Sequence, residues 1–285
     1  MASSIEEQTR NNDYNNEDAD TFSMEMLNSF LPKSNFYNVG MRLRGVDQHD
    51  LARDAFQRGS ETGCIPCMSL YTDCLSKGGK ESMIHLRLPW LLEGAIRGHL
   101  YIIDLLVAFY KNAEPANPES LQIYWTKILN SLHVSLGMNK EERKNNRGTI
   151  GNVCYPCREE DSDDRKFQQC SGCKIYSYCG KECQLEHWND GNHRGECKQL
   201  QILNTYHKPY AKQIHKKITR GDDPTKIIEL QTLREKLGLS RPKDEYEKLL
   251  LFLGDDCDDY RPIRREYIVA RDDGTVHIGS TAEVI

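Results

Sequence analysis

The sequence predicts a mainly α protein with three parts: a helical-repeat, solenoid-like N-terminal part, a small cysteine module stapled by metal, and an α-helical C-terminal segment ending in a β-hairpin. Three observations carry this expectation. Apolar helical spacing recurs at an offset of 35 residues before residue 136. Seven of the eleven cysteines fall between Cys154 and Cys197. Near the chain end the period switches from helical to alternating around Asp273-Gly274, the strongest short hairpin signal.

A chain of 285 residues has room for two or three compact units. Residues 1–20 hold six acids (Glu6, Glu7, Asp13, Glu17, Asp18, Asp20) against Arg10, which matches the formal net charge of −5. With almost nothing to bury, they read as a disordered acidic tail. The most apolar stretch, Leu100 to Tyr110, is interrupted by Asp104 and is too short to span a bilayer, so no membrane partner is expected. No charged-then-apolar leader opens the sequence, which predicts an intracellular protein without separating cytoplasm from nucleus. In a reducing compartment, abundant cysteine argues for metal ligation over disulfides.

Residues 21–136 form the helical part. Pro32 is expected in the first turn of a helix carrying Phe36, Tyr37, Val39 and Met41 to Gly45. Asp47 is expected to cap a second helix, with Leu51, Ala52, Ala55 and Phe56, that ends near Gly59. Aligning Phe56–Leu75 with Leu91–Tyr110 superimposes Gly63 on Gly98 and Leu70 on Leu105. The same offset takes Ala55 to Trp90 and Trp90 to Trp125. Each unit reads as two antiparallel helices around a tight glycine turn, and Asn117-Pro118-Glu119 supplies a cap, a first-turn proline and an acidic first turn for the next. One such pair cannot bury its apolar face alone, so consecutive pairs should stack. The segment WLLEGAIRGHL (Trp90–Leu100) resembles the Sel-type tetratricopeptide-like repeats over roughly Phe36 to His133. That resemblance implies a protein partner held on a concave surface; an irregular helical bundle is the plainer reading.

The polar, glycine-flanked stretch 137–153 reads as a linker to the cysteine module at 154–197. There the ligands are spaced as Cys154-x2-Cys157, Cys170-x2-Cys173, Cys179-x3-Cys183 and His193-x3-Cys197. Zinc takes four sulfur or nitrogen ligands in a tetrahedron, and such short gaps let both members of a knuckle reach one ion. Eight ligands make two closed sites, structural zinc with no position left for a reacting water. Interleaved pairing puts Cys154, Cys157, Cys179 and Cys183 on zinc 1, and Cys170, Cys173, His193 and Cys197 on zinc 2; ligand order alone also admits sequential pairing. His187 competes with His193 as the nitrogen ligand. His193 is preferred because its spacing to Cys197 puts both on one helix turn.

The CSGC, YC-x3-CQ, Trp188 and closing H-x3-C pattern resembles the MYND zinc finger over Cys154–Cys197. The resemblance implies interleaved pairing and a shallow groove for proline-containing peptides, lined here by Ser171, Gln184 and Trp188. Trp188 would supply the apolar stacking surface, Gln184 an amide for the peptide backbone. The chain departs from the family in a longer Trp188–His193 gap holding Gly191 and in an acidic Cys157–Cys170 spacer. Both departures bear on the groove's rim, and for Trp188 a packing role over zinc 2 is the plainer alternative.

Residues 198–285 are expected to carry a helix with Leu203, Tyr206, Tyr210, Ile214 and Ile218 on one buried stripe, bent at Pro209. A second helix, Thr225 to Leu237, is stopped by Gly238, and a third follows Pro242 before the hairpin. Lys198 to Arg220 contains six bases (Lys198, Lys208, Lys212, Lys216, Lys217, Arg220) and no acid, a solvated face or, alternatively, a nucleic-acid contact. Cys64, Cys67 and Cys74, with His85, are a candidate third metal site, though buried helix-spaced cysteines more simply pack as small hydrophobes. Cys257 lies among acids that raise a thiol's pKa, which argues against a nucleophile. The expected function is a zinc-dependent protein-interaction adaptor. The alternatives are a nucleic-acid-binding regulator and a methyltransferase-related protein, and the Asn-His-Ser-Cys-type segment of a SET domain is not found. No enzyme activity is expected.

Overall fold

A computed structural model of the chain describes residues 31–77, 84–111, 118–135, 153–160, 166–191, 193–239 and 273–275. The described residues are mainly helical, with one two-stranded sheet. None of their helices is long and apolar enough to cross a membrane.

Helix α1 (Asn35–Arg44) begins at Ser34, whose hydroxyl accepts from the Tyr37 amide at 3.3 Å. A side-chain acceptor satisfies one of the first-turn amides, so Pro32 lies before the helix and not in its first turn. Helix α2 (His49–Glu61) follows Gln48, not an Asp47 cap. Asp47 instead takes the left-handed φ of 57° in the preceding turn. The helix also runs two residues past Gly59, where a Cβ would come within 2.3 Å of Cys67 Sγ, so glycine here makes room for α3 and does not end the helix. Helix α3 (Ile65–Lys77) pairs with α2.

Helices α4 (Ile84–Ile96) and α5 (Leu100–Lys111) then repeat the spans of α2 and α3, shifted by the 35 residues seen in the sequence. The intervening turns match as well: Gly63 and Gly98 have φ of 88° and 80°, a conformation that side-chain-bearing residues adopt only with strain. Helix α6 (Glu119–Ser135) starts one residue after Pro118, whose carbonyl accepts from the amides of Leu121 and Gln122. Pro118 therefore occupies the cap position, not the first turn.

The first helices share a small core of Ala52, Phe56, Cys64, Cys67, Leu70, Tyr71 and Leu75. A larger core joins α4–α6 to everything that follows, with Leu91, Ile103 and Trp125 in one cluster with Tyr176, Cys197, Leu203, Ile214 and Leu230. The cysteine module and the C-terminal helices therefore complete the apolar face that α4–α6 leave open. A polar clamp adds to it. Buried Glu93 pairs with buried Arg97 on α4's end and with Arg234, whose Nε lies 2.8 Å away.

Helix α7 (Lys181–Asn189) lies within the module, and α8 (His193–Ile202) leads out of it into a π-helical turn, Leu203–His207, before the chain breaks around Pro209 ahead of α9 (Ala211–Thr219). Leu203, Ile214 and Ile218 are buried as the stripe requires. Tyr210 is 40% exposed, because the break resets the helical phase just before α9. The expected Thr225–Leu237 helix is divided into a 3-10 turn, Pro224–Lys226, and α10 (Ile228–Lys236). Asp223 initiates the turn by accepting from the Thr225 amide at 3.0 Å. Gly238, at φ 72°, ends the second helix. Of the expected C-terminal hairpin only Asp273, Gly274 and Thr275 are described, and Gly274 lies so close to α8 that a Cβ would sit 2.7 Å from the Gln199 amide nitrogen. The acidic tail, nearly all of the linker, the helix after Pro242 and Cys257 lie outside the described residues.

Candidate metal centres and peptide groove

Two tight knuckles open the module, and they have the same backbone. Arg158 and Lys174, each the residue after a knuckle's second cysteine, take φ of 61° and 56°. Their amides donate to Cys154 and Cys170 carbonyls at 2.9 and 2.8 Å. Strands β1 (Gln168–Gln169) and β2 (Ser177–Tyr178) pair antiparallel across the second knuckle. A bridge from Cys154 to Ser177 holds the first knuckle beside β2. Helix α7 (Lys181–Asn189) then carries Cys183, Gln184, His187 and Trp188, and α8 carries His193 and Cys197.

The fold brings the ligands together in the interleaved pairing. Cys154, Cys157, Cys179 and Cys183 form one group, and Cys170, Cys173, His193 and Cys197 the other. Two sulfurs on one tetrahedral zinc at about 2.3 Å lie about 3.8 Å apart. The Cys157–Cys179 and Cys179–Cys183 sulfurs are 3.6 and 3.5 Å apart, and Cys170–Cys197 are 3.8 Å apart. His193 Nε2 lies 3.3 Å from Cys170 Sγ and 3.8 Å from Cys173 Sγ. These spacings and the soft donors fit two structural zinc ions, the cofactors of this module. The groups differ in setting: the second is wholly buried, whereas Cys157 of the first is exposed.

Glu196 lies behind His193, its carboxylate 3.6 Å from Nδ1. A carboxylate behind a ligating imidazole fixes its orientation and raises its basicity. Glu196 is itself buried and accepts from the Tyr176 hydroxyl at 2.8 Å and the Ser120 amide at 3.0 Å, with the Ser120 hydroxyl as a third donor. Burial, reinforced by the Glu196 charge, holds the Tyr176 phenol well above its ordinary pKa, so it remains a donor. One carboxylate thus links the second metal centre to the first turn of α6.

His187 has a different role. It is buried, its ring stacks on His193 with centroids 4.7 Å apart and on Tyr155 at 4.2 Å, and its Nδ1 is 3.0 Å from the Tyr178 hydroxyl. Burial, then the nearby His193, pushes its pKa down to about 3. A Cβ on Gly191 would come within 2.3 Å of the His187 ring, so the longer Trp188–His193 gap passes the ring at a residue without a side chain.

Ser171, Gln184 and Trp188 lie beside one another. They line a groove of about 340 Å³ together with Lys181, Leu185 and Gln201. Trp188 is half-buried and meets His193 edge-on at 5.6 Å, so it packs over the second centre and also presents a face to the groove. Gly172 forms the floor: a Cβ there would lie 2.5 Å from Cys197 Sγ and 2.7 Å from Gln201 Nε2.

The MYND finger family model matches residues 154–197. No curated protein and no solved structure matches the chain. A MYND finger is generally a zinc-binding, protein-interaction module, and here both centres and the groove are in place. Sequence reasoning missed Glu196 and Gln201. Their positions relative to Cys197, one residue before and four after on the same helix, were the available signal. The Cys64–Cys67–Cys74 grouping does not form a metal site among the described residues. The His85 side chain lies outside them.

Proposed function

We propose that the chain is an intracellular, non-enzymatic adaptor. Its MYND finger docks proline-containing peptides, and its Sel-type helical repeats hold a second protein. The observation that carries the reading is the groove itself. An indole face, the Gln184 and Gln201 amides and the Ser171 hydroxyl border one concavity beside a buried zinc centre. A polyproline-type ligand needs an apolar surface for its rings and donors for its free carbonyls, and this lining supplies both. Closed coordination leaves the metals structural, so function falls to the surface they support. The 35-residue recurrence of helix spans and glycine turns supports the repeat reading.

The test is fluorescence polarisation against labelled proline-rich peptides. Trp188→Ala should weaken binding roughly ten-fold or more, as for a central aromatic anchor, with both zinc ions retained. Unchanged affinity in a zinc-loaded variant would remove the groove from the mechanism. A second reading, nucleic-acid binding, draws on exposed Lys208, Lys212 and Lys216 flanking the exposed Tyr210. It requires affinity for duplex DNA or RNA that falls steeply with salt; salt-independent or absent binding dismisses it.

A further inference from the structure

Cys64 and Cys67 lie outside the finger, and besides packing in the small core both sulfurs meet polar groups. Cys64 immediately precedes α3 and its carbonyl accepts the Met68 amide, so its sulfur sits at the positive end of that helix. The Ser34 amide donates to Cys64 Sγ at 3.5 Å, and Ser34 Oγ lies 3.6 Å from Cys67 Sγ. Gly59 gives Cys67 Sγ the space it occupies. Hydrogen bonding from the Cys67 thiol holds the Cys64 pKa below its ordinary value, against the effect of burial, and the same contact raises Cys67. A pocket of about 250 Å³, bordered by Pro32, Lys33, Asp222 and Pro224, reaches Cys64; Cys67 does not line it and is fully buried. The two thiols are therefore ordered, one outward and one behind.

We propose that Cys64-Ile65-Pro66-Cys67 is a redox-active dithiol that exchanges with small thiol disulfides entering this pocket. The Cys64 thiolate attacks one sulfur of R–S–S–R, forming a Cys64–S–S–R bond and expelling R–S⁻, which takes up the proton Cys64 released. Cys67 then loses its proton and attacks the Cys64 sulfur, closing the Cys64–Cys67 bond and expelling the second R–S⁻, which is protonated in turn. Two electrons pass from the dithiol to the external disulfide, leaving two R–SH. Closure replaces the contacts that both thiols make with Ser34, the cap of α1, so the oxidation state bears on how the first helix is held.

The test uses the full-length, zinc-loaded chain in a Cys74→Ser background, equilibrated in reduced and oxidised glutathione over a range of ratios. Samples are acid-quenched, alkylated, and mapped by mass spectrometry on the tryptic peptide 59–77. A Cys64–Cys67 disulfide should form at ratios where zinc content is still complete. Cys67→Ser, or Cys67→Ala if the serine variant unfolds, should accumulate a glutathione adduct on Cys64 roughly ten-fold above the unsubstituted level, because the resolving thiol is gone. Cys64→Ser should leave Cys67 unmodified. Two results would overturn the proposal. One is a Cys64–Cys67 bond that stays absent in the most oxidising buffer. The other is an adduct on Cys67 with none on Cys64.

Discussion

His207 closes the π-helical turn and is fully buried, with its Nδ1 2.8 Å from the Tyr124 hydroxyl, which also reaches the Leu203 carbonyl at 3.2 Å. Its ring packs on Trp125 with centroids 5.3 Å apart. Burial, opposed in part by the Ile96 backbone, pushes its pKa from 6.5 down to about 4. The sign follows directly. The unfolded chain takes up this proton near pH 6.5 and the folded chain only near 4, so between those values the unfolded state binds more protons. Stability is therefore full above the unfolded value and falls as the pH drops through the window, by about 1.4 kcal/mol per pH unit. From pH 7.5 to 4.5 the loss due to His207 alone is about 2.5 kcal/mol. His207→Phe keeps the ring but cannot take up the proton. Acid also removes zinc, but it does so from both proteins, and the difference between them cancels that effect. Urea unfolding followed by tryptophan fluorescence, at several pH values, measures the difference. Whatever the variant costs at pH 7.5, that cost should shrink by about 2.5 kcal/mol at pH 4.5. Parallel curves, with the difference constant to within about 0.5 kcal/mol, would refute the assignment of a neutral, buried imidazole.

Metal analysis of the pure chain should give two zinc ions. Cys179→Ser should keep only the ion at the buried site, with helical circular dichroism nearly unchanged. Cys197→Ser, whose sulfur lies in the shared core, should lose helicity as well; equal effects from the two substitutions would contradict the difference in burial. The glycine turns offer a paired comparison. At Gly63 a new Cβ meets nothing closer than Pro224 at 3.8 Å, so Gly63→Ala should cost about 1 kcal/mol through φ alone. At Gly98 it meets the His215 side chain at 2.8 Å, so the same change should cost about 1–3 kcal/mol more in thermal or urea unfolding. A smaller loss at Gly98 would refute the packing argument.

The metal ligands were legible because their chemistry is local: short cysteine gaps place two sulfurs within reach of one ion whatever surrounds them. Gly63 and Gly98 were legible for a similar reason, since a left-handed turn between helices leaves its mark on one residue. Other features depend on distant groups and leave no such mark. Arg158 and Lys174 take left-handed φ in the two knuckles without being glycine. The N-terminus of α1 went to Ser34 over Pro32 because a side-chain acceptor satisfies an amide there. Tyr210 matched the helical period yet is exposed, since the π-turn and the break at Pro209 shift the phase. Beyond its place next to Cys197, nothing in the sequence sets Glu196 apart from other helical acids. Its partners Ser120 and Tyr176 lie 76 and 20 residues away, and only the fold brings them together.

That carboxylate changes what the second zinc centre does in this chain. Removing one partner of a buried charge costs far more than the interaction itself contributes, because the charge is left without compensation. Glu196 is tolerated in the core through its three donors and the imidazole beside it, and those groups come from the finger's hairpin, from α8 and from the start of α6. Withdrawing the metal frees His193 and removes the reason for its orientation toward Glu196, which weakens the same network that seats α6. Zinc at this centre therefore supports more than a groove. Through Glu196 it ties the finger to the start of α6, so the groove beside Trp188 and the helical part rest on one buried network.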